Sequence, residues 1–331
     1  MTCISLVMTW QRTKDERYLK AAKLSGEYLK SLQVLDQRNK TAFGLFRETS
    51  PQSKECHPRD ALSAAWGLLY LYQVTKDPDY LYRVNIFANW FVKYAMKSNY
   101  PAWTSFTEKE KPTYWQQGSF HGGSPLFFFD LYSITKQKKW LNVGLKICDK
   151  WKKLFLNENG SIKIEIDPKT GKDMTGKGTD LNHIGWQDMH KVNDDFTAQA
   201  QMRAYKLTGD KKYLDTAQRY LDWVLTIQES KGNFGKIPVN SAAATLILEL
   251  MDIYKITKQK KYQDAMLLSV PHFLTLQETK SKDKRFAGGF YCIHGDYIHN
   301  SRVDLGVRTS CYALAALLRL ENKKTYDGYT S

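Results

Sequence analysis

Apolar positions along this chain recur in one pattern. A run that is apolar nearly all round is followed by a short polar turn, and then by a run with apolar residues on one helical face only. At LLYLYQVTKDPDYLYRVNIFANW (68–90) the first run ends at Thr75, the chain turns through Lys76-Asp77-Pro78, and the second run begins at once. Asp77 offers an N-cap oxygen, and Pro78 stands where no backbone N–H is needed. The pattern returns at 127–151, 198–223 and 246–266, with a shorter echo at 9–33. It predicts first helices near 2–12, 60–74, 123–134, 194–207, 240–256 and 308–320, and second helices near 15–33, 78–97, 138–155, 210–228 and 259–278.

Turns of a few residues make the two helices of each hairpin antiparallel neighbours. The connections between hairpins, 34–59, 98–122, 156–193, 229–239 and 279–307, then all lie at one end, and all but one are long. First helices such as WGLLYLY and AATLILELM suit an inner layer, and the amphipathic second helices an outer one. An open solenoid and a closed ring both accommodate this. Six first helices favour the ring: an all-α (α/α)6 toroid, one domain over 1–331, lacking one N-terminal outer helix.

Composition narrows the field. Hydrophobic residues make up 42% of the chain and aromatics 13%, which fits a globular protein and excludes a disordered one. No apolar run approaches the ~20 residues of a membrane span. The N-terminal MTCISLVMTWQRTK lacks a charged leader, so the chain as written reads as cytoplasmic, or as periplasmic or secreted if further sequence precedes it. Forty-nine Lys and Arg against 34 Asp and Glu give a net charge of +15. Such a charge attracts polyanions, and no nucleic-acid motif accompanies it. Five scattered cysteines make no disulfide framework. Cys56-His57 and Cys292-x-His294 match no local zinc spacing, so neither metal nor cofactor is expected. Nothing in the sequence speaks to oligomeric state.

Candidate chemistry collects in the long connections, as it does on loops held by a rigid scaffold. His57, His121, His183, His190, His294 and His299 all fall there, as do Trp103, Trp115 and Trp186; only His272 falls in a helix. Four clusters emerge. Cys56-His57-Pro58-Arg59-Asp60 opens a first helix, and Asp60 is there either a cap or a catalytic acid. Trp115 and His121 form a candidate wall. His183, Trp186 and His190 lead into Val192-Asn193-Asp194-Asp195-Phe196, where at most one aspartate can cap. Tyr291, His294, Tyr297, His299 and Arg302, with Arg308 beyond, are the densest set of acid, base and cation groups.

These parts suit two reactions. Hydrolysis of a glycoside needs two carboxyls, for which Asp60 and Asp195 are candidates. Elimination from a uronate needs a cation, a base and an acid, which Arg302 or Arg308 with His294, His299, Tyr291 or Tyr297 can supply. An epimerase on the same scaffold needs the same proton-transfer groups.

The segment NDDFTAQAQMRAYKLTGDKKYLDTAQRYLDWVL (193–225) resembles the double-Asp helix and following repeat of unsaturated glucuronyl and rhamnogalacturonyl hydrolases, which are (α/α)6 enzymes. The resemblance implies an acid/base role for Asp194 or Asp195. VNDDF also looks like a motif of the helical-toroid pectate lyases. The expectation is a carbohydrate-active enzyme that cleaves an acidic, uronate-containing glycan, with elimination slightly favoured. His57, Arg59, Trp115, His121, Trp186, His190, Tyr291 and Arg308 are the expected substrate contacts, and neither nucleic acid nor membrane is an expected partner. A helical-repeat binding protein for a polyanion is the alternative; it would carry short loops and a basic helix face.

Overall fold

In each hairpin the turn is a small machine of local hydrogen bonds. The structure, a computed structural model, describes residues 1–102, 106–107, 116–117, 121–167, 169–174, 196–235, 240–293 and 303–321. Among these are eleven α-helices: α1 (Thr2–Thr13), α2 (Glu16–Ser31), α3 (Pro58–Thr75), α4 (Pro78–Trp90), α5 (Ser124–Thr135), α6 (Lys138–Leu154), α7 (Thr197–Thr208), α8 (Lys211–Thr226), α9 (Asn240–Thr257), α10 (Lys260–Thr275) and α11 (Val307–Glu321). All eleven expected helices are present.

Five first helices end in threonine. Thr13, Thr75, Thr135, Thr208 and Thr257 each donate a hydroxyl to the carbonyl four residues back, at 2.7–2.8 Å. Each also accepts the N–H of the residue two positions on, at 3.2–3.3 Å. The residue between is left-handed: Lys14, Lys76, Lys136 and Lys258 at φ 57–61°, and Gly209 at φ 74°. Its N–H closes the last helical turn, as at Lys76 N to Tyr72 O, 2.9 Å. Asp15, Asp77 and Asp210 then cap the second helix by accepting the N–H two residues on, at 2.9–3.0 Å. Gln259 caps α10 by position without a side-chain bond.

By internal contacts the chain forms two compact units, 1–117 with 127–147 and 167–170, and 118–126 with 148–166 and 171–331. In the first unit, α1 and α3 pack together, and Leu68, Leu69 and Leu71 are completely buried. Phe87 is the hub of an aromatic core, with ring centroids 5.4 Å from Phe46, 5.7 Å from Phe91 and 6.0 Å from Phe127. The Trp66 indole donates to Asp130 at 2.9 Å inside this core. In the second unit α9 packs against both α7 and α11, and residues Ala244 to Leu250 are fully buried. Such helices are the all-round apolar ones that the pattern assigned to an inner layer.

The loops after second helices tuck under the next second helix. Gly160 (φ 89°) and Gly232 (φ 90°) do this at such close range that a Cβ would stand 2.2 Å from the Arg219 carbonyl oxygen and 2.1 Å from that of Leu268. Only glycine fits either place.

Two boundaries differ from expectation. The second helix expected to run to 97 ends as α-helix at Trp90 and continues as one π-helical turn, Phe91–Ala95, before a short antiparallel pairing of Met96–Lys97 with Tyr100–Pro101. The first helix expected from 194 starts at Thr197, with left-handed Phe196 (φ 71°) in the cap position and no side-chain cap bond. Asp194 and Asp195 themselves lie outside the described residues.

Candidate active site

The start of α3 gathers three of the expected site residues. Its cap position falls to His57, Pro58 is the first helical residue, and Asp60 lies in the first turn. The capping role weighed for Asp60 is thus not the one it fills. Its carboxylate instead accepts from Arg59 Nη1 at 3.2 Å and stands 3.8 Å from His57 Nδ1, and its side chain is half exposed (50%). A carboxylate at a helix N-terminus is favoured by the helix dipole, so the position needs no other support.

Opposite stands a carboxyl that sequence reasoning missed. Glu48 accepts the backbone N–H of His57 at 3.3 Å, and its own N–H is bonded to the Glu55 carbonyl at 2.7 Å. Burial, reinforced by the charge on Asp60, pushes the Glu48 carboxyl above the ordinary carboxylate range. Burial likewise lowers His57, against the opposing pull of Asp60. Cys56, fully buried beside them, has its thiol pushed well above the ordinary value by burial. Residues 55–56 are held by antiparallel pairing with 106–107.

Glu48 and Asp60 line one cavity of about 220 Å³, with Phe46 as an apolar wall and the hydroxyls of Ser25, Ser63 and Thr49 around it. This is below the ~300 Å³ lower bound of drug-sized pockets. It suits one small ring bearing several hydroxyls. A carboxyl raised by burial and a more exposed carboxyl on one cavity are parts that acid–base catalysis can use.

The second unit holds the other described candidates. His121 is fully buried, with Nδ1 3.3 Å from the Ser124 hydroxyl at the start of α5. Tyr291 hydrogen-bonds Glu278, which lifts the phenol and holds the carboxyl below its usual range. Residues 291–293 pair antiparallel with 303–305. Arg308 donates from Nε to the Tyr312 hydroxyl at 3.1 Å, and the Tyr312 ring meets Phe196 edge-on at 5.0 Å. Phe196 directly follows Asp194-Asp195 in sequence. Asp194, Asp195, Trp115, Trp186, His190, His294, Tyr297, His299 and Arg302 lie outside the described residues.

The polar residue sets of α7, α9 and α11 were also unforeseen. Arg319 and Asp252 form an ion pair with side-chain exposures of 3% and 4%. Gln199 Nε2 donates to the same aspartate at 3.4 Å, and Gln199 N to Glu249 at 3.4 Å. Among the described residues no group of three or more His, Cys, Asp or Glu is placed to hold a metal ion.

No protein-family description matches the chain, and no curated protein sequence matches it. Solved structures do. A cellobiose 2-epimerase from Bacillus thermoamylovorans is similar over 96% of this chain and 86% of its own, with TM-score 0.73 and 15% identity. A glycoside hydrolase family 76 mannosidase from Bacteroides thetaiotaomicron is similar over 97% and 87%, with TM-score 0.69 and 15% identity. An unsaturated glucuronyl hydrolase from a Bacillus species is similar over 96% and 84%, with TM-score 0.68 and 16% identity. These are (α/α)6-toroid enzymes, and at such identities the likeness shows the fold: this chain has the all-α toroid fold of helical hairpins that its sequence predicts.

Proposed function

We propose that this protein is a carbohydrate-active enzyme working on an acidic, uronate-containing glycan by acid–base chemistry. The observation that carries the reading is the pair of unlike carboxyls on one ring-sized cavity at the loop end of α3. Glu48, whose carboxyl is raised by burial above its ordinary range, serves as general acid at the leaving oxygen; Asp60 serves as base, with Arg59 and His57 holding its position. The fold supports the sugar, since the similar structures named above act on cellobiose, on mannosides or on unsaturated glucuronyl groups. The surplus of basic residues supports the acidic substrate. Asp194, Asp195, His294, Tyr297, His299 and Arg302 remain proposed partners in the same chemistry, as do Tyr291 and Arg308.

A second reading is epimerisation, favoured by the likeness to a 2-epimerase. There the same two groups exchange a proton at a sugar carbon and no bond between sugars is cut. Mass spectrometry of products from acidic and neutral glycans separates the readings. Added water marks hydrolysis. Loss of water-equivalent mass relative to hydrolysis, with new ultraviolet absorbance, marks elimination. Unchanged mass with altered sugar configuration marks epimerisation. No change in any glycan contradicts the enzyme reading and favours a binding scaffold.

A further inference from the structure

The five short turns repeat one construction, and one of them has glycine where the other four have lysine at the left-handed position. In three, the left-handed lysine lies over the aromatic ring four residues back: Lys14 on Trp10 (5.1 Å), Lys76 on Tyr72 (5.7 Å) and Lys258 on Tyr254 (5.9 Å). At the α7–α8 turn the left-handed residue is Gly209, and a Cβ there would meet nothing within 4 Å. Tyr205, four residues back and half-buried, carries no cation over its ring among the described residues.

The turns of the same compact unit are dense in lysine. Lys206, Lys211, Lys258 and Lys260 are all exposed, on the α7–α8 and α9–α10 turns of the same compact unit. None has a carboxylate partner among the described residues. Two neighbours are already committed: Lys212 to Asp149 at 3.0 Å and Lys261 to Asp222 at 2.6 Å. Asp210 spends a carboxylate oxygen on the Lys212 N–H at 3.0 Å. First helices run from the loop end to the turn end, so this surface is at the opposite end of its hairpins from the long loops.

We propose that this turn end is a second, non-catalytic holding surface for an acidic glycan, with Tyr205 as stacking platform and the four lysines as carboxylate partners. The partner's identity rests on the glycan reading above. An uncovered aromatic face on a turn end that also carries exposed ammonium groups fits a ring that has an apolar face and a carboxylate. A lipid leaflet or nucleic acid backbone would be served by charge alone. Holding the polymer here raises its effective concentration at the loop end.

The test is native electrophoresis through gels containing polygalacturonate, or neutral dextran as control, with vesicles of phosphatidylserine as a separate arm. Wild type is expected to be retarded by polygalacturonate only. Tyr205→Ala should weaken retention roughly five- to tenfold, and replacing Lys206, Lys211, Lys258 and Lys260 by Gln should abolish it. Gly209→Lys is the sharpest variant, because it adds a positive charge while covering the ring as three of the other four turns do. Stacking predicts weaker retention; charge attraction alone predicts tighter. Thermal melting confirms that each variant is folded, and four other turns already tolerate lysine at this conformation. Equal or tighter retention of Gly209→Lys overturns the proposal, as does binding to vesicles without binding to polygalacturonate. The gel reads no turnover. Retention by a protein that transforms no glycan would sink the enzyme reading alone, and turnover without retention would sink this surface alone.

Discussion

Two arginine–aspartate pairs in this molecule look alike on paper and differ in every physical respect. Arg319 and Asp252 meet inside the second unit with almost no exposure, and Gln199 adds a further hydrogen bond to the same carboxylate. Arg59 and Asp60 meet at the edge of a cavity, where the aspartate is half exposed and a half-buried glutamic acid lies close enough to feel its charge. The first pair has no room for a substrate. The second borders a cavity of about 220 Å³, and the proposed chemistry is placed there. Deep burial inside an ion pair marks structure; partial burial beside a second, shifted carboxyl marks a candidate for chemistry.

Substitutions can break this contrast. Glu48→Gln should lower turnover by roughly 10²–10⁴-fold with little change in KM, since a general acid acts in the transition state. It should not unfold the protein. The folded Glu48 carboxyl is raised by burial, so its contribution is fully present below the unfolded pKa and is lost as pH rises through the folded value. A permanently neutral glutamine therefore makes the variant more stable than wild type on the alkaline side, with the gain vanishing in acid. Denaturant midpoints across pH measure this.

Asp252→Asn should do the reverse, costing about 3–5 kcal/mol by leaving Arg319 buried and unpaired. Asp252→Leu combined with Arg319→Met should recover most of that loss, and urea unfolding of the three proteins checks both statements. Asp130→Ala strands the Trp66 indole and should cost about 1–3 kcal/mol. Smallest is Lys136→Gly, which relieves a left-handed lysine and should stabilise by up to about 1 kcal/mol.

The hairpins were legible in sequence because their turns are decided locally. Thr75 bonds back to its own helix, Lys76 turns the chain and Asp77 caps the next helix, all within a few residues. The loop end was less legible because its geometry is set by contacts distant in sequence. The pairing of 55–56 with 106–107 shapes the segment around His57, and no periodicity announces it. Glu48 had only a weak signal, a lone acid among hydroxyl residues in Arg47-Glu48-Thr49-Ser50. Its setting emerges only when the chain returns to place the His57 N–H against it. Arg319 and Asp252 are 67 residues apart, on helices whose apolar patterns hid both charges. The change at Trp90 from α- to π-helix interrupts an otherwise continuous apolar face, so the pattern ran past it.

The most direct test of the account is the pH dependence of glycan transformation by wild type and Glu48→Gln, followed by mass spectrometry of the products. The account predicts that wild-type activity falls away only at a pH above the ordinary carboxylate range. It also predicts that the variant is slower by a hundredfold or more and has lost that alkaline limb. Wild-type rates and an unchanged pH profile in Glu48→Gln would contradict it.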